Sequence, residues 1–355
     1  MASMSQDGTG SAALAEAMRA GNRAYKSAKY ADAARIYAKV LAEDGHLASA
    51  WLSLGNARWR RGDRDGAIHA YRRAVEEDPK RARAWHNLST AWLAGGEFSG
   101  AADAASKAVA LDPKRAKAWN NLAVARQGLQ DPRGAETALR RALEADPDLA
   151  VAWGNLGHVV LRNGQSKEAE DAFRRAIAGG NREPDVLVGL ARSLVARGFL
   201  DAAEVELAAA ARAAPSSADL WLALGDVRRA RGDAAGALSA YEGASAASVD
   251  MADEARGKAA RRRLEAGLLV ARDAAARGDR AALLDAVEGL RSAAHDAGAT
   301  GAADGASLAA GVVRCVEAAA KANRDEVPAA WVDEVLSGAV RAASASRPGA
   351  AGSGP

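Results

Sequence analysis

The chain has 355 residues and a formal net charge of +3, and only 5% of its residues are aromatic. Alanine and glycine dominate the apolar residues, which favours short helices packed closely through small side chains and argues against a fold built on strands. So slight a charge does not indicate a nucleic-acid-binding protein, which would need a concentrated basic face.

Cysteine usage and the first residues bear on location. Cys315 is the only cysteine, which excludes an intramolecular disulfide and a zinc site built from cysteines. Residues 1–13 lack the basic and apolar regions of an export signal, and we expect them to form a disordered leader. No stretch approaches the length of about 18 uninterrupted apolar residues that a membrane-spanning helix needs. We therefore expect a cytoplasmic protein.

A period of 34 residues runs through most of the chain. Trp51, Trp85, Trp119 and Trp153 stand one period apart, and Trp221 follows two periods later. In this frame alanine fills the twentieth position of every repeat, at Ala33, Ala67, Ala101, Ala135, Ala169, Ala203 and Ala237. Seven repeats then follow one another without insertion or deletion, over residues 14–47, 48–81, 82–115, 116–149, 150–183, 184–217 and 218–251.

Each repeat is predicted to contain two helices. In the second repeat, Gly62 supplies the left-handed conformation that ends the first helix, and Pro79 stops the second. The eighth position is always Gly, Ala or Ser, and the twenty-fourth is bulky and apolar in all repeats but one, where it is Ala105. Small residues let the two helices approach, and bulky ones fill the gaps. One helix pair cannot bury its own apolar face, so neighbouring pairs must stack.

At these residues a family can be recognised. The segment AWLSLGNARWRRGDRDGAIHAYRRAVEEDP, from Ala50 to Pro79, resembles the tetratricopeptide repeat, whose signature is W-x2-L-G, then A-x3-Y and a terminal proline. The resemblance covers about two thirds of the chain. It implies an all-α fold, a right-handed α-solenoid of seven tandem helix–turn–helix repeats, in which the first helices line a concave groove.

The period is lost after Met251. We expect residues 252–297 to contain a capping helix and a degenerate eighth helix pair, since the last repeat would otherwise expose an apolar side. Residues 298–344 show helical spacing and are predicted to form further C-terminal helices, with Cys315 as a buried thiol on an apolar stripe. The tail, residues 345–355, is predicted to be disordered.

No arrangement of residues indicates catalysis. A glycine-rich phosphate loop is missing, and no two of the five histidines stand at a spacing that would let one helix hold a metal ion. The sequence therefore predicts a protein that is not an enzyme and has no catalytic residue, metal site or cofactor.

Asparagines at the sixth position of three consecutive repeats are the main candidate for a binding site. The helical period directs the second, fifth, sixth and ninth positions toward the groove, and Asn87, Asn121 and Asn155 occupy the sixth. An asparagine amide can bond both the C=O and the N–H of an extended peptide. The pattern resembles the asparagine ladder in the repeat domain of O-linked N-acetylglucosamine transferases, without their catalytic domain. The alternative is that asparagine is merely tolerated at water-facing positions.

A second comparison is the carboxylate clamp of chaperone-binding tetratricopeptide domains. Asn56, Asn87 and Lys117 match the clamp, whereas Leu52 and Asn121 stand where it has cations, which removes much of the charge that holds a C-terminal carboxylate. A basic residue at the second position of two repeats still leans the groove toward acidic peptides. The predicted groove residues are Asn56, Arg83, His86, Asn87, Lys117, Asn121, Asn155 and His158.

The sequence thus favours a scaffold or adaptor that binds an extended polypeptide partner, with neither nucleic acid nor a membrane as a partner. The alternative is a structural protein that self-assembles into a homo-oligomer through the ends of the array or through the C-terminal helices. An enzyme with its active site in those helices is a third and less favoured hypothesis.

Overall fold

The structure is a computed structural model that describes residues 6–247 and 253–276, together with Asp279, Ala282, Asp285, Ala286, Gly289 and Leu290. Fifteen helices and no strand occur in these residues. They are α1 (Gln6–Lys26), α2 (Tyr30–Glu43), α3 (Ala48–Arg60), α4 (Arg64–Glu77), α5 (Ala82–Leu93), α6 (Phe98–Leu111), α7 (Ala116–Gly128), α8 (Pro132–Ala145), α9 (Ala150–Arg162), α10 (Ser166–Ala178), α11 (Pro184–Ala196), α12 (Leu200–Ala213), α13 (Ala218–Ala230), α14 (Ala234–Ala247) and α15 (Asp253–Ala276).

The predicted all-α fold of tandem helix pairs is confirmed. In chain order, helices α1 to α14 are the first and second helices of seven repeats, and in the second to seventh repeats the first helix begins at the first predicted residue. The predicted C-terminal helices of residues 298–344, with Cys315, and the predicted disordered tail of residues 345–355 lie outside the described residues.

The N-terminal helix differs from the prediction. We expected no regular structure before residue 14, but α1 begins at Gln6, so a disordered leader is wrong for residues 6–13. The reason lies in the helix that follows, because Leu14, Ala17 and Met18 pack against the first core cluster. Because this anchored part already supplies the helix nucleus, extending α1 back to Gln6 needs no second nucleation step.

The chain divides into two compact units. The N-terminal unit contains residues 1–165 and 174–181, and the C-terminal unit contains residues 166–173 and 182–355. In the N-terminal unit, helices α1 to α9 pack in chain order, and the first helix α5 also contacts the first helix α7. In the C-terminal unit, α11 to α15 pack in the same way, and α11 contacts α13. In each unit, therefore, first helices of neighbouring repeats also pack against each other.

Within a pair, a small residue of the first helix lies against a bulky residue of the second. A Cβ on Gly55 would stand 2.5 Å from two ring carbons of Tyr71, and Gly21 and Gly225 approach their tyrosines, Tyr37 and Tyr241, in the same way. Where leucine replaces the ring, alanine replaces the glycine, in the buried pairs Ala123 with Leu139 and Ala191 with Leu207. A larger side chain on one helix is thus matched by a smaller one on the other, so that the space between the helices stays filled.

The tryptophans at the fourth position fasten the turns between repeats. Each Nε1 donates to the carbonyl oxygen six residues earlier, at 2.7 to 2.9 Å: Trp51 to Gly45, Trp85 to Pro79, Trp119 to Pro113, Trp153 to Pro147 and Trp221 to Pro215. The indole satisfies a turn carbonyl and covers the turn with its ring. The recurrence of tryptophan every 34 residues therefore has a structural cause.

The last pair is covered by α15. This helix packs against both α13 and α14, and its Ala259, Ala266 and Leu268 are buried. Leu290 is also buried and lies against α15 at Gly267, where an added Cβ would stand 2.9 Å from a Leu290 methyl. The apolar side of the seventh pair is therefore closed by the chain itself.

We expect Gly55→Ala to destabilise the protein by about 1–3 kcal/mol, because the added methyl collides with the Tyr71 ring. Helix propensity alone predicts the opposite, a gain of about 1 kcal/mol. Urea unfolding followed by circular dichroism distinguishes the two. In a Tyr71→Leu background, which reproduces the Ala123–Leu139 pairing, the cost of Gly55→Ala should shrink by at least about 1 kcal/mol. An equal cost in both backgrounds would contradict this account.

Candidate functional site

All eight predicted groove residues lie on first helices of the N-terminal unit. Asn56 is on α3; Arg83, His86 and Asn87 are on α5; Lys117 and Asn121 are on α7; Asn155 and His158 are on α9. We call the outward surface of these four helices the first-helix face. Arg83 and Lys117 are exposed, and the other six residues are partly buried.

Asn56 and Asn87 join two neighbouring repeats. The Asn87 Nδ2 donates to the Oδ1 of Asn56 at 2.7 Å. The same oxygen accepts the hydroxyl of Tyr71 at 3.0 Å. Burial raises the pKa of that hydroxyl, so it stays a donor at neutral pH. One amide oxygen therefore links the core of the second repeat to the first helix of the third.

The other two predicted asparagines make similar contacts across repeat boundaries. Asn121 Nδ2 donates to Ser89 Oγ at 2.9 Å and to Thr90 Oγ1 at 2.8 Å, and Asn155 Nδ2 donates to Asn120 Oδ1 at 2.9 Å. Each of the three amide nitrogens thus uses at least one N–H within the protein. That each amide also offers a donor and an acceptor to a bound peptide stays a prediction. Among the described residues, no donor bonds the Oδ1 atoms of Asn87, Asn121 or Asn155.

Sequence reasoning missed four residues of this network: Ser89, Thr90, Asn120 and Tyr71. Ser89 stood out only as a small residue, and Tyr71 only as a bulky apolar one. Their polar atoms matter because the neighbouring helix is near enough to bond them. The available signal was a sequence separation of about one repeat between polar residues, as in Asn120 and Asn155.

His86 is neutral at physiological pH. Burial lowers the pKa of its imidazole to about 4, and the nearby cations Arg115, Lys117 and Arg83 act in the same direction. Its Nδ1 lies 3.5 Å from the amide nitrogen of Asn121. The ring therefore contributes an uncharged hydrogen-bonding edge to the first-helix face rather than a positive charge.

In the described part of the chain, no group of three or more His, Cys, Asp or Glu side chains is arranged to hold a metal ion. No helix in that part is both long and apolar enough to cross a lipid bilayer.

Stacked pairs of about 13-residue helices, with Trp, small, Ala and Pro residues at fixed positions, define a tetratricopeptide-repeat protein. The family model described as the cilia and flagella-associated protein 70 C-terminal domain matches residues 5–263. The chain belongs to this family of tetratricopeptide domains. The predicted resemblance to tetratricopeptide repeats is thereby confirmed. No curated protein matches the sequence.

Solved structures of low sequence identity share the fold. PilF of Pseudomonas aeruginosa superposes with a TM-score of 0.54 at 17% identity, over 60% of this chain and 96% of PilF. A tetratricopeptide repeat protein from Parabacteroides merdae gives 0.53 at 16% identity, over 67% of this chain and 94% of that one. The APC/C hetero-tetramer Cut9–Hcn1 gives 0.56 at 17% identity, over 71% of this chain and 48% of the matched chain.

We expect Asn87→Ala to lower the free energy of unfolding by about 0.5–1.5 kcal/mol, because Asn56 loses a donor across the repeat boundary. Asn87→Asp should cost more, since it can place a carboxylate oxygen against the Asn56 oxygen. Urea unfolding measures both changes. If Asn87 were only a water-facing residue, neither substitution would shift the unfolding midpoint.

We expect His86→Gln to reduce the loss of stability in acid. The folded-state pKa of about 4 lies below the usual 6.5, so between these values the unfolded chain binds a proton that the folded chain does not. Stability therefore falls as pH drops through this window, by on the order of 1–3 kcal/mol in the wild type. Urea unfolding at about pH 7 and about pH 4.5 checks the difference. The same pH dependence in both proteins would contradict the assignment.

Proposed function

We propose that the chain is a scaffold or adaptor that holds an extended polypeptide along the first-helix face of α3, α5, α7 and α9. The observation that carries the proposal is the row of open amide oxygens of Asn87, Asn121 and Asn155, one on each of three successive first helices. An unpaired Oδ1 accepts a backbone N–H of a bound peptide regardless of its side chains. The row suits recognition of a backbone.

Spacing and rigidity support this function. An extended peptide advances about 3.3–3.6 Å per residue, and packed helices lie about 8–10 Å apart, so each repeat meets about every third peptide residue. The amide nitrogens are already bonded to the preceding repeat, which fixes the direction of each oxygen. A preorganised acceptor loses little conformational entropy on binding.

Holding a polypeptide requires no chemical step, and that the chain is not an enzyme stays a prediction. Self-assembly is the less supported alternative, because α15 already covers the end of the seventh pair, a surface that end-to-end stacking of arrays would use. Light scattering over a range of protein concentrations separates a monomeric scaffold from an assembling one.

A matched pair of photo-crosslinking variants tests the site. Val151 lies on the first helix α9 and is 51% exposed, and Val205 lies on the second helix α12 and is 70% exposed. Each is replaced by p-benzoyl-phenylalanine, which an exposed position tolerates without unfolding. The two variants are illuminated with peptides selected on the wild-type chain from a random display library.

We expect the selected peptides to crosslink from position 151 and not from position 205, because only the first-helix face would carry the bound segment. Circular dichroism of both variants verifies that the helices are intact. Crosslinks from position 205 alone, or a library in which no peptide is enriched, would count against the proposed function.

A further inference from the structure

Acidic residues are missing from the helices that form the first-helix face. Although 45 of the 355 residues are Asp or Glu, helices α3, α5, α7 and α9 contain none. The same four helices carry the cations Arg58, Arg60, Arg83, Lys117, Arg126 and Arg162. Helix α1 does contain acidic residues, but in the second to fifth repeats the acidic residues lie only on second helices and in the connecting turns.

Second helices of this unit have both signs of charge, paired with each other. Arg73 bonds Glu77 at 2.7 Å within α4, and Arg140 bonds Glu136 at 2.7 Å within α8. Basic residues there are largely neutralised by acidic neighbours. The overall composition of the chain does not explain why these first helices lack acidic residues, because the second helices of the same repeats carry both signs of charge.

Two of the cations on the first-helix face are open to a ligand. Arg58 and Arg126 donate at 3.1 Å to the carbonyl oxygens of Gly66 and Gly134, in the first turns of α4 and α8. Arg60 lies over the Tyr30 ring, and Arg162 donates to the Gln127 side chain. Arg83 and Lys117, in contrast, are exposed and form no ion pair with a described residue. Both stand at the second position of their repeat, on the contacting helices α5 and α7, so they occupy the same place in neighbouring repeats. His86 lies one turn further along α5, and because it is neutral it adds no positive charge to attract an anion.

The next residue in the same row is apolar. Val151 is the second residue of α9, and it is 51% exposed. The row of second positions therefore reads Arg83, Lys117, Val151 along three successive repeats. A surface that is basic on two repeats and apolar on the next fits a ligand in which acidic side chains are followed by an apolar one.

We infer that the polypeptide held on the first-helix face is an acidic segment, with carboxylates at Arg83 and Lys117 and an apolar side chain at Val151, about three residues further along. This inference rests on the proposed function and adds the chemistry of the partner. A nucleic acid fits less well, because the row carries no aromatic residue for base stacking and has valine where a third phosphate would lie.

We expect Arg83 and Lys117 to contribute mainly selectivity for the partner. Exposed cations are screened by water and salt, so each adds little affinity at high ionic strength, but together they steer and select an acidic partner at low ionic strength. The preference for acidic peptides should therefore fade as salt is added, whereas contacts to the asparagine oxygens should not.

The test uses a fluorescein-labelled peptide of about twelve residues, long enough for four repeats at about three residues each. Asp and Glu alternate in it with Ser, Gly and Val. A matched peptide carries Asn and Gln at the acidic positions. Fluorescence anisotropy measures both against the full chain and against two double variants. Arg83→Gln with Lys117→Gln removes the two cations of the row. Lys39→Gln with Arg133→Gln removes the same charge from exposed positions of α2 and α8.

We expect the acidic peptide to bind the wild type at least about tenfold more tightly than its amide counterpart near 0.05 M salt, and this ratio to collapse near 0.5 M. The Arg83 and Lys117 double variant should lose the ratio, and the Lys39 and Arg133 variant should keep it.

Three outcomes would overturn the inference. Equal binding of the two peptides, with crosslinking from position 151 intact, removes the acidic partner but leaves the proposed function standing. If both double variants lose the preference for the acidic peptide, that preference depends on the net charge of the protein and not on Arg83 and Lys117. Binding of a single-stranded oligonucleotide of similar length, as tight as the acidic peptide and dependent on Arg83 and Lys117, identifies a nucleic-acid face instead.

Discussion

In the second repeat the backbone of α3 lies directly against the ring of Tyr71, because Gly55 has no side chain to keep it away. This close approach brings the two helices together and buries the ring. The tyrosine hydroxyl then reaches Asn56 at the surface of α3. Asn56 in turn receives the amide of Asn87 from the next repeat. One tight helix contact thus determines both the core and the polar surface that the next repeat joins.

Two kinds of contact repeat along the chain, and they differ in range. The core pairs, such as Gly55 with Tyr71, lie within one repeat, as do Ala123 with Leu139 and their equivalents. The amide contacts of the first-helix face always join two repeats. Local stability and surface chemistry therefore depend on different residues, and a solenoid can vary one while the other is kept.

The fold could be predicted because its signals are local and periodic. An uninterrupted 34-residue period located both helices of each repeat, with small residues at the eighth position and bulky ones at the twenty-fourth. The first turns of α1 were missed, since polar and glycine residues before Ala12 gave no periodic signal and the helix is held by packing further along.

The candidate site was predicted only in outline. The helical period placed Asn87, Asn121 and Asn155 on first helices, but it carries no information about distances between helices of different repeats. Whether an amide faces water or the neighbouring helix is decided by those distances, so the bonds to Ser89, Thr90 and Asn120 could not be foreseen. Tandem arrays grow by copying whole repeats. A copied repeat would bring its own Gly–Tyr or Ala–Leu pair and fold at once, yet its asparagine would meet a different neighbour. Gain of length would then be easy in evolution, while an inherited binding specificity would be lost at every new junction.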